Sequence, residues 1–426
     1  MTDLSLTAPP RAATRRTFDY NKLLDGVFFL SVAAGSIVFI EPSPSDILIL
    51  LNIGLWILGG FRVHRAVIPH ILFLELWVLG GFIGLVPYWN EDDPVSFMFH
   101  TLFITTTGLF YALFLAERTS RRLELLLNGY VISCVIAAII AVLTWYGFFG
   151  DSQLFIQDSR AMAPTKDPNV LGTFLIMGVL ILVQRLLLGN MRLVWLVLPS
   201  LAIIVTALFL TFSRGSWGAT VISTMMIVAF LIKTADTAKM RLRIIAGATA
   251  VVLVASLSLI SALSIDSIHD YFFERASVTQ DYDEGPNGRF GNQLRSIPML
   301  LERPLGFGPL RFRLIFGLEP HNSYINAFAS NGWLGGFSFI MMVLSTCYVG
   351  FRQCVTRHPW NRQAQILFSA TFVFFLQGFQ IDIDHWRMFY LTLGAVWGIE
   401  AARCRWLTQN DQAQQSFDKN VEAADG

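Results

Sequence analysis

Long apolar runs are the feature that most restricts how this chain can fold. Of its 426 residues, 54% are hydrophobic and only 14% are charged, whereas about 25% are charged in an average soluble protein. About twelve runs are long enough to cross a hydrocarbon core of about 30 Å as helices. They lie near residues 23–40, 45–61, 67–87, 95–115, 125–148, 169–188, 193–212, 216–232, 244–264, 333–351, 364–381 and 387–402. The pattern predicts an all-α, polytopic transmembrane helical bundle.

The positions of Lys and Arg predict the orientation of this bundle. Basic loops stay on the cytoplasmic side of a membrane, and most of the 31 Lys and Arg residues lie in the two tails and the even-numbered connections. Both termini are therefore expected in the cytoplasm. The polar end, 409–426, is expected to lack structure. The predicted organisation is a single integral membrane domain: a tail (1–22), nine spans (23–264), a large outer loop with short helices (265–320), an interfacial helix with three spans (321–402) and a second tail (403–426).

One stretch stands out at the end of the large outer loop. Residues 319–336 read EPHNSYINAFASNGWLGG. A single helix from His321 to Phe351 would be roughly 46 Å long at 1.5 Å per residue, which is longer than the hydrocarbon core needs. We therefore predict a break at Asn331-Gly332.

The break would leave a short interfacial helix over 323–330 and a span over 333–351. Asn322 and Ser323 are both good N-caps for the short helix. Its positive end would lie beside His321, where it favours a neutral imidazole and attracts an anion. This is a suitable environment for a base next to a phosphate.

Other charged residues are expected on the same outer side. Arg160 and Lys166 occupy the loop 150–168, Arg214 lies between two apolar runs, and Arg289 begins a predicted amphipathic helix. The short loop before the last span adds Asp382, Asp384, His385 and Arg387. The alternative interpretations are solvated charges for Arg160 and Lys166, and an arginine that reaches lipid headgroups for Arg214.

These residue types suit transfer of a group from a diphosphate. Arginine binds phosphate oxygens with two parallel hydrogen bonds and stays charged at any relevant pH. A neutral His321 could remove a proton from an attacking hydroxyl. Asp382 or Asp384 could orient that histidine or hold a sugar hydroxyl.

The constellation resembles the O-antigen ligase superfamily of membrane glycosyltransferases, which includes repeat-unit polymerases of O-antigens and exopolysaccharides. The matching stretches are RAMAPTKDPNVLG at 160–172, SRG at 213–215, GRFGNQLRSIPMLLERPLGFGP at 288–309, PHNSYINAFASNGWLGG at 320–336 and DIDHWRMFYLTLG at 382–394. The first five spans offer little to compare.

The resemblance implies a metal-independent, inverting glycosyltransferase in the bacterial inner membrane with its active site facing the periplasm. Arg160, Arg214 and Arg289 would bind the diphosphate of an undecaprenyl-linked saccharide, and His321 would act on the acceptor hydroxyl. Supporting or sugar-binding roles are expected for Lys166, Asn322, Asp382, Asp384 and Arg387. No cofactor and no nucleic acid are expected as partners.

Two questions stay open at this level. Asp281-Tyr-Asp283 and Asp382-Ile-Asp384 have the Asp-x-Asp spacing that metal-using glycosyltransferases employ, although arginines can supply the same positive charge. The acceptor is either lipid A core, for a ligase, or a growing lipid-linked chain, for a polymerase. Some polymerases have paired arginine segments with a glycine eleven residues on, a spacing that Arg295 and Gly306 match, whereas Arg160 and Gly172 are one residue too far apart.

A transporter or flippase of lipid-linked saccharides is the alternative from another class. Such proteins often have two related halves with paired discontinuous helices, whereas here the polar residues gather on one side. A structural subunit of an export complex would leave the arginines without a role.

Overall fold

Helices dominate the computed structural model, which describes residues 19–148, 155–157, 160–162, 164–189, 194–264, 285 and 288–425. The helices are α1 (Tyr20–Ala33), α2 (Pro44–Leu58), α3 (Ile68–Leu85), α4 (Asp92–Ala116), α5 (Thr119–Trp145), α6 (Pro168–Leu188), α7 (Val194–Leu210), α8 (Arg214–Lys233), α9 (Ala238–Leu263), α10 (Arg289–Leu301), α11 (Phe312–Phe316), α12 (Ser323–Val355), α13 (Asn361–Gln377) and α14 (Arg387–Asp425). Short 3₁₀ turns, Arg65–Val67 and Val86–Tyr88, flank α3. Two short strands, β1 (Ile156–Gln157) and β2 (Arg160–Ala161), pair antiparallel.

The helices agree with the predicted all-α bundle. A helix lies at each of the predicted spans, and in the described part of the chain six are long and apolar enough to cross a membrane: α3 with its flanking turns, α4, α5, α6, α8 and α12. Two more, α2 and α7, are apolar but shorter. The total of about twelve spans and the large periplasmic loop stay predictions, and residues 265–284 of that loop lie outside the described residues.

The C-terminal tail differs from the prediction. Residues 409–425, expected to lack structure, continue helix α14. This segment contains no Gly or Pro and is rich in Gln, Ala and charged residues, many of which favour helix formation once a preceding helix has provided the nucleus.

The helices that carry the candidate site residues begin with side-chain caps. Asp167 caps α6 by accepting from the backbone N–H groups of residues 169 and 170. Ser213 caps α8, and Asn322 caps α12 by accepting from the N–H groups of residues 324 and 325. Each cap satisfies N–H groups that the helix itself cannot. The predicted N-cap role of Asn322 is therefore confirmed.

The predicted break in α12 is also confirmed. Gly332 has φ 63° and ψ −167°, a region that is essentially restricted to glycine. The connection after α10 fills the gap that this break opens. The N–H of Trp333 donates to Pro304 O (2.8 Å), and the N–H of Phe307 donates to Ala329 O (2.7 Å). The backbone groups at the break are thus paired with the connection that leads through α11 to residues 317–322, the loop that carries His321 and is called the histidine loop below.

Close packing of α3 against α12 holds this region in place. A Cβ on Gly80 would lie 2.4 Å from Asn331 O and 2.7 Å from Gly335 N, so only glycine allows this approach. The side chain of Asn331 donates from Nδ2 to Trp77 O (2.9 Å) across the same interface. Small residues with a polar bond between helices are typical of packing within membranes.

Candidate functional site

His321 lies at the start of α12, immediately before the N-cap. Its backbone is left-handed (φ 45°), a conformation that costs free energy in a non-glycine residue and is found preferentially at functional sites. The side chain is 45% exposed. The imidazole is therefore accessible to a substrate at the positive end of a helix.

Asp382 is the carboxylate that faces this histidine. The distance from His321 Nδ1 to Asp382 Oδ2 is 3.7 Å, and Asp382 Oδ1 accepts from the N–H of Asn322 (3.1 Å). Burial of the Asp382 carboxyl, together with the nearby charges of Asp384 and Glu319, raises its pKa well above the ordinary value. The structure thus brings His321 close to Asp382, which lies 61 positions further along the chain.

The connection between α13 and α14, residues 378–386, holds the histidine loop. The N–H of Ser323 donates to Gly378 O (2.7 Å), and Asn322 Nδ2 donates to Phe379 O (3.3 Å). In return, the N–H of Ile383 donates to Ser323 Oγ (2.7 Å). These bonds fix the N-terminal end of α12 against the residues that flank Asp382.

Two of the predicted arginine segments meet at Gln380 in this connection. Arg289, the first residue of α10, donates from Nη1 to Gln380 O (3.2 Å). Gly215, next to Arg214 at the start of α8, lies so close that a Cβ there would be 3.6 Å from Gln380 Oε1. The N-terminal ends of α8 and α10 therefore both approach the connection that carries Asp382.

Arg160 is tied to the turn that precedes Arg214. Its Nε donates to Thr211 O and its Nη2 to Asn169 Oδ1, both at 2.9 Å. Gln377 in α13 donates from Nε2 to Thr173 Oγ1 (2.9 Å), which joins α6 to the helix that precedes Gln380. The three arginine segments thus form one continuous set of contacts around residues 378–386.

The other predicted site residues have structural partners. Arg387 makes two bonds with Asp46, from Nε and Nη2, both at 2.7 Å, and the exposed Lys166 pairs with Glu41. Asp384 is 5% exposed. It accepts from Asn326 Nδ2 (3.0 Å), and Ser330 Oγ also bonds to Asn326. Their roles in sugar binding stay predictions.

Gln380 was not singled out from the sequence, and Asn326 and Glu319 were noted only as members of the stretch 319–336. All three are polar residues within or at the edge of stretches that are otherwise apolar, and that is the signal that could have drawn attention to them.

A cavity of about 100 Å³ lies elsewhere, between α1, α2, α4 and the start of α14. Its lining includes Asp46, Tyr111, His385 and Arg387 but neither His321 nor the three predicted arginines. We therefore place the candidate site at the histidine loop and not in this cavity.

One of the two Asp-x-Asp pairs lies within the described residues. Among the described residues, no group of three or more His, Cys, Asp and Glu side chains is arranged to hold a metal ion. Asp382 and Asp384 belong to those residues, whereas Asp281 and Asp283 lie outside them.

By its fold, the protein belongs to the class of polytopic helical membrane proteins. At the start of one of its helices, a histidine faces a carboxylate. A sequence model described as O-antigen ligase matches residues 199–340, a stretch that contains Arg214, Arg289 and His321 but not Arg160 or residues 382–387. This match covers a third of the chain and confirms the resemblance found in the motifs. No curated protein matches the chain.

The match supports a membrane enzyme of the O-antigen ligase or polymerase type, which would be a glycosyltransferase-type enzyme with lipid-linked saccharides as substrates.

Proposed function

We propose that this protein transfers a saccharide chain from an undecaprenyl diphosphate donor to an acceptor hydroxyl at the periplasmic face of the bacterial inner membrane. Lipid A core is the proposed acceptor, which makes the enzyme an O-antigen ligase. Both termini are placed in the cytoplasm by the distribution of Lys and Arg.

The observation that carries this proposal is the half-exposed His321 paired with Asp382. The distance of 3.7 Å between Nδ1 and Oδ2 is longer than a hydrogen bond, as is common before substrate binds. With Asp382 facing Nδ1, the opposite nitrogen, Nε2, is proposed to accept the proton of an acceptor hydroxyl. Asp382 thereby orients the ring and stabilises the imidazolium that forms.

In the proposed reaction, the acceptor oxygen attacks the anomeric carbon from the side opposite the diphosphate. A new C–O bond forms, the bond from the anomeric carbon to the phosphate oxygen breaks, and undecaprenyl diphosphate leaves with the electron pair. His321 receives the hydroxyl proton. The configuration at the anomeric carbon is inverted.

Arg160, Arg214 and Arg289 are proposed to bind the donor diphosphate. Their segments meet around residues 378–386 through Thr211, Gln380 and the start of α8. Negative charge grows on the leaving diphosphate, so fixed guanidinium groups stabilise the transition state more than the ground state. These cations could replace a metal ion, and we propose that the enzyme is metal-independent.

The decisive experiment uses purified protein in detergent with a lipid diphosphate donor and an acceptor, without nucleotide. The variant His321→Ala should lower the transfer rate by about 10²- to 10⁴-fold while donor binding persists. His64→Ala, which removes a histidine from the distant turn before α3, serves as the control and should remain active. Full activity of His321→Ala would refute the proposed role of His321. Loss of activity in EDTA, with rescue by Mg²⁺ or Mn²⁺, would refute metal independence.

A polymerase is the second candidate. The observation in its favour is the spacing of eleven residues between Arg295 and Gly306, which resembles one of the paired arginine segments of some polymerases. Supplying either lipid A core or a second lipid-linked unit, and then sizing the product, separates the two. A single transfer onto lipid A core identifies a ligase, and a ladder of lengths identifies a polymerase.

A further inference from the structure

Helix α10 exposes its apolar face and buries its polar face. Leu294 is 70% exposed and Leu301 67% exposed, and Phe290 and Ile297 lie on the same exposed side. The buried side carries Asn292, Gln293 and Ser296. A helix on the surface of a soluble domain would normally have the reverse arrangement.

Hydrogen bonds fix this rotation of the helix. Asn292 Nδ2 donates to Phe316 O (3.2 Å), and Gln293 Nε2 donates to Pro320 O (2.8 Å). Turning the apolar face inward would expose these amides and would leave the buried carbonyl oxygens without donors, which costs free energy. The outward direction of the leucines is therefore a property of the folded site and not of a loosely attached helix.

The C-terminal end of α10 is joined to the start of a membrane-spanning segment. Trp333 Nε1 donates to Leu300 O (2.9 Å), and the N–H of Trp333 donates to Pro304 O (2.8 Å). Beyond Trp333, the exposed side chains of α12 include Phe337 and Leu344, in a helix long and apolar enough to cross a membrane. The exposed face of α10 thus adjoins a surface that meets lipid.

Basic residues flank this apolar face. Arg295 on α10 and Arg303 just after it are both exposed. An apolar helical face bordered by arginines is typical of helices that lie in the interface plane, where the basic groups meet lipid phosphates.

We propose that α10 is an interfacial helix whose face of Phe290, Leu294, Ile297 and Leu301 contacts phospholipid acyl chains on the membrane side of the histidine loop. This arrangement holds Arg289, the first residue of the helix, at the depth of the headgroup phosphates. On the proposed function, that is also the depth at which the diphosphate of a lipid-linked donor lies.

Photocrosslinking in nanodiscs made only of phospholipid tests this proposal. The photoreactive amino acid p-benzoylphenylalanine replaces Leu294 or Leu301 in the full-length protein, and Asp411, an exposed residue in the polar C-terminal part of α14, provides the control position. After irradiation, mass spectrometry of the intact protein should show an added phospholipid at both leucine positions and none at position 411. Size-exclusion profiles of the variants report whether each one folds. Two leucine positions are used so that the test remains possible if one of the variants does not fold.

The other outcomes overturn the proposal. A crosslink within the chain would mean that another segment covers the face, and a crosslinked dimer would mean that a second copy does. An adduct that forms only after polyprenyl diphosphate is added would assign the face to the donor instead of the bilayer. Absence of any adduct at both leucine positions would mean that the face meets water. Because the experiment needs no turnover, its failure is separate from a failure of the proposed transferase activity.

Discussion

At the scale of single residues, the charges around Asp382 determine how the histidine pair titrates. The pKa of Asp382 is raised by burial, by Asp384 and by Glu319. Asp384 is buried and bonded to Asn326, so changing it would also disturb packing. Glu319 lies in the loop before His321, is partly exposed and pairs with the exposed Arg313 (3.6 Å), so removing its charge should disturb the fold less than changing Asp384.

Glu319→Gln should therefore change the pH dependence of the enzyme. Without this negative charge, the carboxylate form of Asp382 becomes easier to form and its pKa falls. If the ionised Asp382 is needed to orient His321, the acidic limb of the kcat/KM profile should move to lower pH. The measurement is kcat/KM against pH for both proteins.

Glu302→Gln is the matched control for this experiment. Glu302 is an exposed carboxylate just after α10, and its removal should leave the profile unchanged. An equal displacement in both variants, or none in Glu319→Gln, would contradict the role assigned to Asp382.

At the scale of structural elements, the break in α12 joins the histidine loop to the membrane span. The break depends on Gly332, since its φ and ψ belong to a region essentially restricted to glycine. The space is closed as well, because a Cβ there would lie 2.6 Å from Pro304 O. The connection after α10 and the two parts of α12 therefore depend on the same residue.

Gly332→Ala should destabilise the protein by about 1–3 kcal/mol from backbone strain alone, and more if the contact with Pro304 must open. Thermal unfolding in detergent measures the change. Gly218→Ala is the control, since Gly218 lies inside α8 with open space around its Cα, and alanine there should be neutral or stabilising by up to about 1 kcal/mol. Equal stability of the Gly332→Ala and native proteins would show that the break is not required.

At the scale of the whole molecule, one ion pair links the first helices to the last. Asp46 at the start of α2 and Arg387 at the start of α14 are 341 residues apart, and Asp46 is almost completely buried. Asp46 also completes the capping box of α2 with Ser43. The first five helices, which offered little to compare with the family, thus contact the loop that carries Asp382.

Asp46→Asn should destabilise the protein by about 3 kcal/mol. This is the low end of the range for a buried ion pair that loses one partner, and it applies because Arg387 is partly exposed. The double variant with Arg387→Gln should lose less than the sum of the single variants, since neither charge is left alone. Thermal unfolding of the four proteins gives the coupling energy. Asp236→Asn, which breaks an exposed pair with Arg357, should cost about 0–1 kcal/mol.

The same set of variants tests the predicted sugar-binding role of Arg387. If the ion pair is purely structural, the double variant should recover donor binding along with stability. Recovery of stability without recovery of donor binding would support a direct role for Arg387.

The sequence by itself determined the features that depend on residues close together in the chain. The positions of the helices follow from runs of apolar residues, the N-cap at Asn322 follows from its side chain, and the break at Gly332 follows from helix length and a glycine. Each of these is a local preference, so a short window of sequence is sufficient to predict it.

Only the tertiary structure decided which distant residues became partners. Arg387 was expected near a sugar, yet it binds Asp46. Gln380 is uncharged and was not expected in the site, yet it lies between the starts of α8 and α10. A polar group within a helical bundle must bond to whichever group packing places beside it. That choice depends on how every helix is placed against the others, and no local pattern contains it.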